Sequence, residues 1–170
     1  FAVLHGQAGV TRVAQLRQYG WSSKYCVELA GARNSRLDEM QAAILSEFLP
    51  HLDEGNARRR EIAQRYRTEI RHGDINHSPD TGLASVAHLY VIKSPKRDAL
   101  QKHLREAQIA SDVHYPIPDY KQPVFGQQFA GLNLVNTEQL ASVILTLPCY
   151  PEMTDAEVSN VIAAANGWTA

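Results

Sequence analysis

Two short stretches of this 170-residue chain carry side chains able to hold an anion or a polar ligand. The first is Gly31-Ala32-Arg33-Asn34-Ser35-Arg36, just ahead of a helical pattern with Leu37-Asp38-Glu39 in its expected first turn. Glycine, asparagine and serine in front of a helix are ordinary capping chemistry. The same arrangement suits a phosphate, because free amides and the helix dipole favour an anion there, and two flanking arginines add charge-assisted donors. Composition leaves both readings open. The second stretch is His114-Tyr115-Pro116-Ile117-Pro118, where two prolines hold a histidine and a tyrosine as a rigid polar ledge at a strand end. Such a ledge can stack on or hydrogen-bond a ligand. It is equally the geometry of a plain loop in which His114 is a satisfied polar residue.

Other chemistries find little support. Arg58, Arg59, Arg60, Arg65, Arg67 and Arg71 are interleaved with Glu54, Glu61 and Glu69, the pattern of a solvated helix face with intrahelical pairs rather than a binding patch. The remaining histidines (His5, His51, His72, His77, His88, His103) show no metal-ligand spacing, and no nucleophile elbow, P-loop or dinucleotide glycine fingerprint occurs. A net charge of -1 from 17 basic and 18 acidic residues gives no reason to expect a nucleic-acid or membrane partner. Cys26 and Cys149 lie far apart, which points away from a disulfide framework and towards a reducing cytoplasm. The start, Phe1 to Gly6, has neither the charged leader nor the apolar run of a signal peptide and reads as the interior of a longer sequence.

The elements that must position these residues follow from periodicity. Helices are expected over Thr11–Tyr19, Arg36–Leu49 and from about Pro50 to His72, with an irregular segment over Trp21–Ser35 and an exposed loop over Asp74–Ser85. From there strands at Val86–Ile92, Ile109–Tyr115 and Leu145–Leu147 alternate with helices at Arg97–Glu106, from Asn136 or Thr137 to Ile144, and after the capping box Thr154-Asp155-Ala156-Glu157. The predicted fold is α/β (α+β), a small sheet packed by helices. A helical arm over 1–80 precedes a small C-terminal domain over 81–170. Residues 1–35, with one short helix and few apolar anchors, are expected to be the least ordered part.

Several separated motifs carry a resemblance. Arg17-Gln18-Tyr19-Gly20-Trp21, Gly31 to Ala43, Asn56 to Tyr66, His88-Leu89-Tyr90-Val91-Ile92, His114 to Pro118, Leu147 to Thr154 and Val158 to Ile162 together resemble the C-terminal half of the DegT/DnrJ/EryC1/StrS sugar aminotransferases, in order and spacing, over about residues 11–167. The resemblance implies the small domain of a fold-type I pyridoxal-phosphate transferase. Such an enzyme is a homodimer in which a lysine holds pyridoxal phosphate and an amino group passes to a keto sugar on a nucleotide. It further implies that Asn34 reaches across the dimer interface to the cofactor phosphate with Arg36 supporting the same region. His114 and Tyr115 would lie near the nucleotide sugar, and His88 and Tyr90 would be structural.

The sequence departs from that family at the chemical centre. Phe1 to Val10 fits the lysine-bearing region poorly, and Lys24, Lys93, Lys96, Lys102 and Lys121 lie in no serine-plus-glycine setting suited to imine formation. No catalytic residue is therefore assigned. The expectation is a truncated C-terminal portion that has no transaminase activity alone and binds no pyridoxal phosphate by itself. The alternatives are a stand-alone dimerisation or nucleotide-sugar-binding module, exposing the apolar residues between Leu37 and Phe48, and one half of a split enzyme.

Overall fold

A computed structural model describes residues 6–80 and 82–169. The chain separates into two compact units, Phe1–Pro50 and His51–Ala170. The expected division after residue 80 falls inside the second unit, because the long helix packs its apolar stripe into the core of the sheet domain. Readings made on Phe1 to His5, including His5 itself, lie outside the described residues.

The first unit holds helix α1 (Gln7–Leu16), a hairpin of β1 (Trp21–Ser23) and β2 (Cys26–Val27), and helix α2 (Glu39–Phe48). The first helix starts four residues earlier than expected, at Gln7, and stops at Leu16. Trp21–Ser35, expected to be irregular, contains the hairpin. Gly20 makes the turn into it possible. Its φ is +73°, and a Cβ there would sit 2.3 Å from the Leu29 carbonyl oxygen, which only glycine allows. The Gly20 carbonyl accepts from the amides of Glu28 and Leu29, closing the loop on itself. Helix α2 begins later than expected, at Glu39, because the Asp38 carboxylate accepts from the Met40 amide at 2.9 Å and makes Asp38 the N-cap.

The second unit begins with α3 (Leu52–Glu69), entered through a single 3-10 turn at Leu49–His51 that contains Pro50. A three-stranded antiparallel sheet follows, in the order β3 (Asn76–His77), β4 (Tyr90–Lys93), β5 (Ile144–Leu147), with α4 (Arg97–Glu106), α5 (Val135–Val143) and α6 (Asp155–Gly167). Ile62, Tyr66 and Ile70 of the α3 end, Tyr90 and Ile92 of β4, Leu100 and Leu104 of α4, Leu145 and Leu147 of β5, and Val158, Val161, Ile162 and Ala165 of α6 form one buried cluster. Leu100 and Leu104, four apart, lie on one face of α4, and Val158, Val161, Ile162 and Ala165 repeat that spacing on α6. The Thr154 hydroxyl and the Glu157 carboxylate satisfy each other's backbone donors, so α6 starts where the capping box predicts.

Several expected elements differ: α3 ends at Glu69 rather than His72, and β4 covers only Tyr90–Lys93 rather than starting at Val86. The loop at Asp74–Ser85 supplies β3, which pairs Asn76 with Lys93 and His77 with Ile92. The strand expected over Ile109–Tyr115 reduces to a single bridge between Asp112 and Thr146, since the chain turns away after His114 into the proline-bound ledge.

Candidate functional site

The site predicted at Asn34 and Arg36 lies in the first unit. Residues 33–35 are drawn alongside residues 16–19: Arg33 N donates to Leu16 O, Tyr19 N to Arg33 O, and Ser35 N to Arg17 O. Asn34 bridges Gln18 and is exposed. Its Oδ1 accepts from Arg36 Nε at 2.9 Å, which orients the guanidinium. Arg36 also lies over the Tyr19 ring, 6.0 Å from its centre. The expected helix-terminus geometry is corrected: Asp38 caps α2, and Asn34 stands four residues before the cap. Arg36, Lys24, Ser22, Ser23, Gln18 and Trp21 line a hollow of about 510 Å³, so two cations and two hydroxyls converge where the hairpin folds back. Lys24 and the two serines were missed in the sequence, because an expected irregular segment gave no reason to place them beside Arg36.

The second predicted pair lies in the second unit. His114 follows the Asp112–Thr146 bridge, in which Thr146 N donates to Asp112 O at 2.7 Å and Asp112 N to Thr146 O at 3.2 Å. This anchors the ledge to β5. His114 Nδ1 is 3.0 Å from Thr146 Oγ1, and Nε2 is 4.0 Å from Asp112 Oδ2. The Tyr115 ring stands edge-on to the imidazole at 5.5 Å and is 72% exposed, a face open to stacking. His114, Asp112, Ser111, Thr146, His88 and Cys149 lie along a shallow hollow of about 430 Å³. Ser111 Oγ is shielded from solvent and has no hydrogen-bond partner among the described residues. Burial pushes the Cys149 thiol up to about 11. Thr146 was legible in principle, as the one polar side chain in the apolar run Ile144-Leu145-Thr146-Leu147.

The arginines of α3 are not the solvated face expected of them. Arg58 donates to Glu61, to Asp155 at 2.7 Å and to the Met153 carbonyl at 2.9 Å. Arg65 bonds Glu69 and Ser159. Arg60 and Arg67 donate to the carbonyls of Ser85 and Ser78. They tie α3 to the start of α6 and to the segment before β4. Hydrogen bonds from Arg58 hold the Asp155 carboxyl below its ordinary range. A larger cleft of about 640 Å³ beside Arg60 and Arg67 contains none of the residues predicted for the site.

A helix-covered antiparallel sheet that follows a long helix is the architecture of the C-terminal part of fold-type I pyridoxal-phosphate aminotransferases. Streptomyces venezuelae DesV, solved with a ketimine intermediate, matches it at TM-score 0.83 and 32% identity, over 96% of this chain and 44% of its own. NtdA of Bacillus subtilis, solved with bound cofactor PMP, matches at TM-score 0.78 and 31% identity, over 89% of this chain and 37% of its own. The sequence pattern of the DegT/DnrJ/EryC1/StrS aminotransferase family covers residues 3–166, and the chain belongs to that family. The dTDP-3-amino-3,6-dideoxy-alpha-D-galactopyranose transaminase of Aneurinibacillus thermoaerophilus is 41% identical over 157 residues, 91% of this chain and 42% of that protein. The chain thus spans about 42% of the length of this curated relative.

The family depends on pyridoxal phosphate, which supplies an electron sink when bound. Among the residues present, Asn34, Arg36 and Lys24 carry the amide and cationic donors that would hold its phosphate end. The residues present do not suit the imine end. Lys96, Lys102 and Lys121 are engaged with Asp74, Glu106 and Glu138, and Lys24 lies over the Tyr25 ring in the exposed hairpin turn. The Glu138 carboxylate holds the Lys121 ammonium above its ordinary value, opposite to what an imine-forming amine requires. Lys93 lies in β4, paired with Asn76 and Ile144. No helix among the described residues is long and apolar enough to cross a membrane.

Proposed function

We propose that these residues are the C-terminal portion of a pyridoxal-phosphate-dependent nucleotide-sugar aminotransferase, supplying substrate-side and phosphate-side contacts but not the imine chemistry. The observation that carries this reading is the pairing of two polar sites, Asn34–Arg36 and His114–Tyr115, with five lysines of which none occupies a desolvated, imine-competent setting. Alone, the chain has no transaminase activity and holds no pyridoxal phosphate covalently. Asn34 and Arg36 serve the cofactor phosphate of a partner subunit in a homodimer, and the protein works in the cytoplasm. His114 and Tyr115 serve the nucleotide sugar, the imidazole by hydrogen bonding and the phenol ring by stacking. The relative from Aneurinibacillus, named for a dTDP-linked amino sugar, makes thymidine diphosphate the first probe.

Calorimetric titration of the chain with thymidine diphosphate and with uridine diphosphate tests the substrate side. Saturable binding of either, weakened at least about tenfold by H114A with Y115A, is expected. Equal affinity in the double variant would remove the assignment.

A second reading, self-association through the first unit, is favoured by one feature. Met40, Ile44, Leu45 and Phe48 of α2 are all more than half exposed, at 72, 52, 57 and 68%. Apolar surface of this kind finds a partner. A monodisperse monomer in sedimentation would count against it.

A further inference from the structure

Thr146 is a hydroxyl set into a strand whose neighbours, Leu145 and Leu147, belong to the core. It is buried, lies opposite Val91 in the sheet, and the one hydrogen-bond partner of its Oγ1 among the described residues is His114 Nδ1, at 3.0 Å. A neutral imidazole carries one proton, on one nitrogen or the other. With the proton on Nδ1, the ring would donate to Oγ1, and the threonine O–H would be left shielded and without an acceptor. A buried donor in that position is costly. With the proton on Nε2, Nδ1 accepts from the threonine hydroxyl and both groups are satisfied.

Asp112 favours the same form. One carboxylate oxygen accepts from the Val113 amide at 2.7 Å, while the other lies 4.0 Å from Nε2. That is close enough to attract an N–H dipole there and too far to occupy it as a hydrogen bond. Nε2–H is left as an unused donor on a side chain that lines the hollow with Thr146 and His88.

We propose that Thr146 is a positioning residue: its hydroxyl locks His114 as the Nε2–H tautomer, so that the imidazole offers a neutral hydrogen-bond donor to an oxygen acceptor of the nucleotide sugar. The ligand in this statement rests on the substrate-side reading above. The tautomer does not. The geometry is set by a backbone bridge as well as the hydroxyl, since the Asp112–Thr146 pairing fixes where the ledge leaves the sheet.

Long-range proton–nitrogen correlation spectra of the chain with labelled histidine, at about pH 8 where an ordinary histidine is neutral, read the tautomer directly. The unaltered chain and T146S are expected to show His114 Nδ1 in the range of an unprotonated ring nitrogen and Nε2 in that of a protonated one. T146V is expected to move both towards the averaged values of a mixture. In thymidine diphosphate titrations T146V binds roughly fivefold more weakly and T146S is unchanged, the effect of one misdirected neutral hydrogen bond. A His114 protonated on Nδ1 in the unaltered chain overturns the proposal, whether or not T146V folds. So does an unchanged tautomer in T146V, or full affinity once the tautomer has changed. Should thymidine and uridine diphosphates bind to none of the proteins while the spectra behave as expected, the substrate-side reading falls and the locked tautomer stands.

Discussion

Replacing Tyr66 with phenylalanine separates two contributions that the same residue makes to the core. Its ring is fully buried and stands edge-on to Tyr90 at 5.2 Å, so it fills space between α3 and β4. Its hydroxyl donates to the Pro148 carbonyl at 2.8 Å, tying α3 to the exit of β5 beside the His114 hollow. Burial raises the phenol well above its usual value, so it remains a donor across the accessible pH range. Y66F keeps the ring and loses one hydrogen bond, which costs about 1 kcal/mol. Y66A loses the ring as well and leaves a cavity, for a total of about 4 kcal/mol. For a unit of this size the smaller loss lowers Tm by about 4 °C. Thermal and urea denaturation of the three proteins, followed by circular dichroism, measures both values. A Y66F protein as stable as the parent, or as damaged as Y66A, would refute the division of roles.

Further expectations concern the turn, the cap and acid. G20A forces a side chain onto the Leu29 carbonyl at a positive φ and costs at least about 1 kcal/mol in the first unit; faster amide exchange at Glu28 and Leu29 is the readout, and unchanged protection would contradict it. T154A removes the hydroxyl of the capping box and destabilises by about 1 kcal/mol, seen as an earlier urea midpoint. Asp155 is held low by Arg58, and Glu157 by the Thr154 backbone and hydroxyl. Because their folded values lie below the unfolded ones, the stability they contribute is present above about pH 4 and is lost as pH falls through the folded values. D155N should flatten part of that acid loss. An equally steep acid transition in D155N would show that the Arg58 contact does not matter.

The elements legible in the sequence were those whose information is local. Helix α4 matches its apolar pair residue for residue, and α6 starts at the capping box that its own four residues define. Strands β4 and β5 were visible as apolar runs, though the pairing of Val91 with Thr146 was not. What escaped depends on distant partners. Asn76-His77 has no alternating pattern, and it becomes a strand only because β4 offers an edge. The tight hairpin at Trp21–Val27 is made by Gly20 reaching Leu29. Ile62, Tyr66 and Ile70 likewise make a narrow stripe that reads as an arm until β4 and α6 are present to bury it. At the two candidate sites, the family resemblance pointed to Asn34, Arg36, His114 and Tyr115, and Thr146 stood out only as a polar residue in an apolar run, whereas Lys24 and Ser111 took their places through tertiary geometry alone.

On the proposed reading, this chain carries contacts for the cofactor phosphate and the substrate without the means to form the imine. Incubating it with pyridoxal phosphate and glutamate, reducing with borohydride and mapping lysines by mass spectrometry tests that claim most directly. No stoichiometric phosphopyridoxyl adduct is expected at Lys24, Lys93, Lys96, Lys102 or Lys121, and no glutamate-dependent turnover of a keto sugar nucleotide. A single lysine modified in full, with turnover, would contradict it.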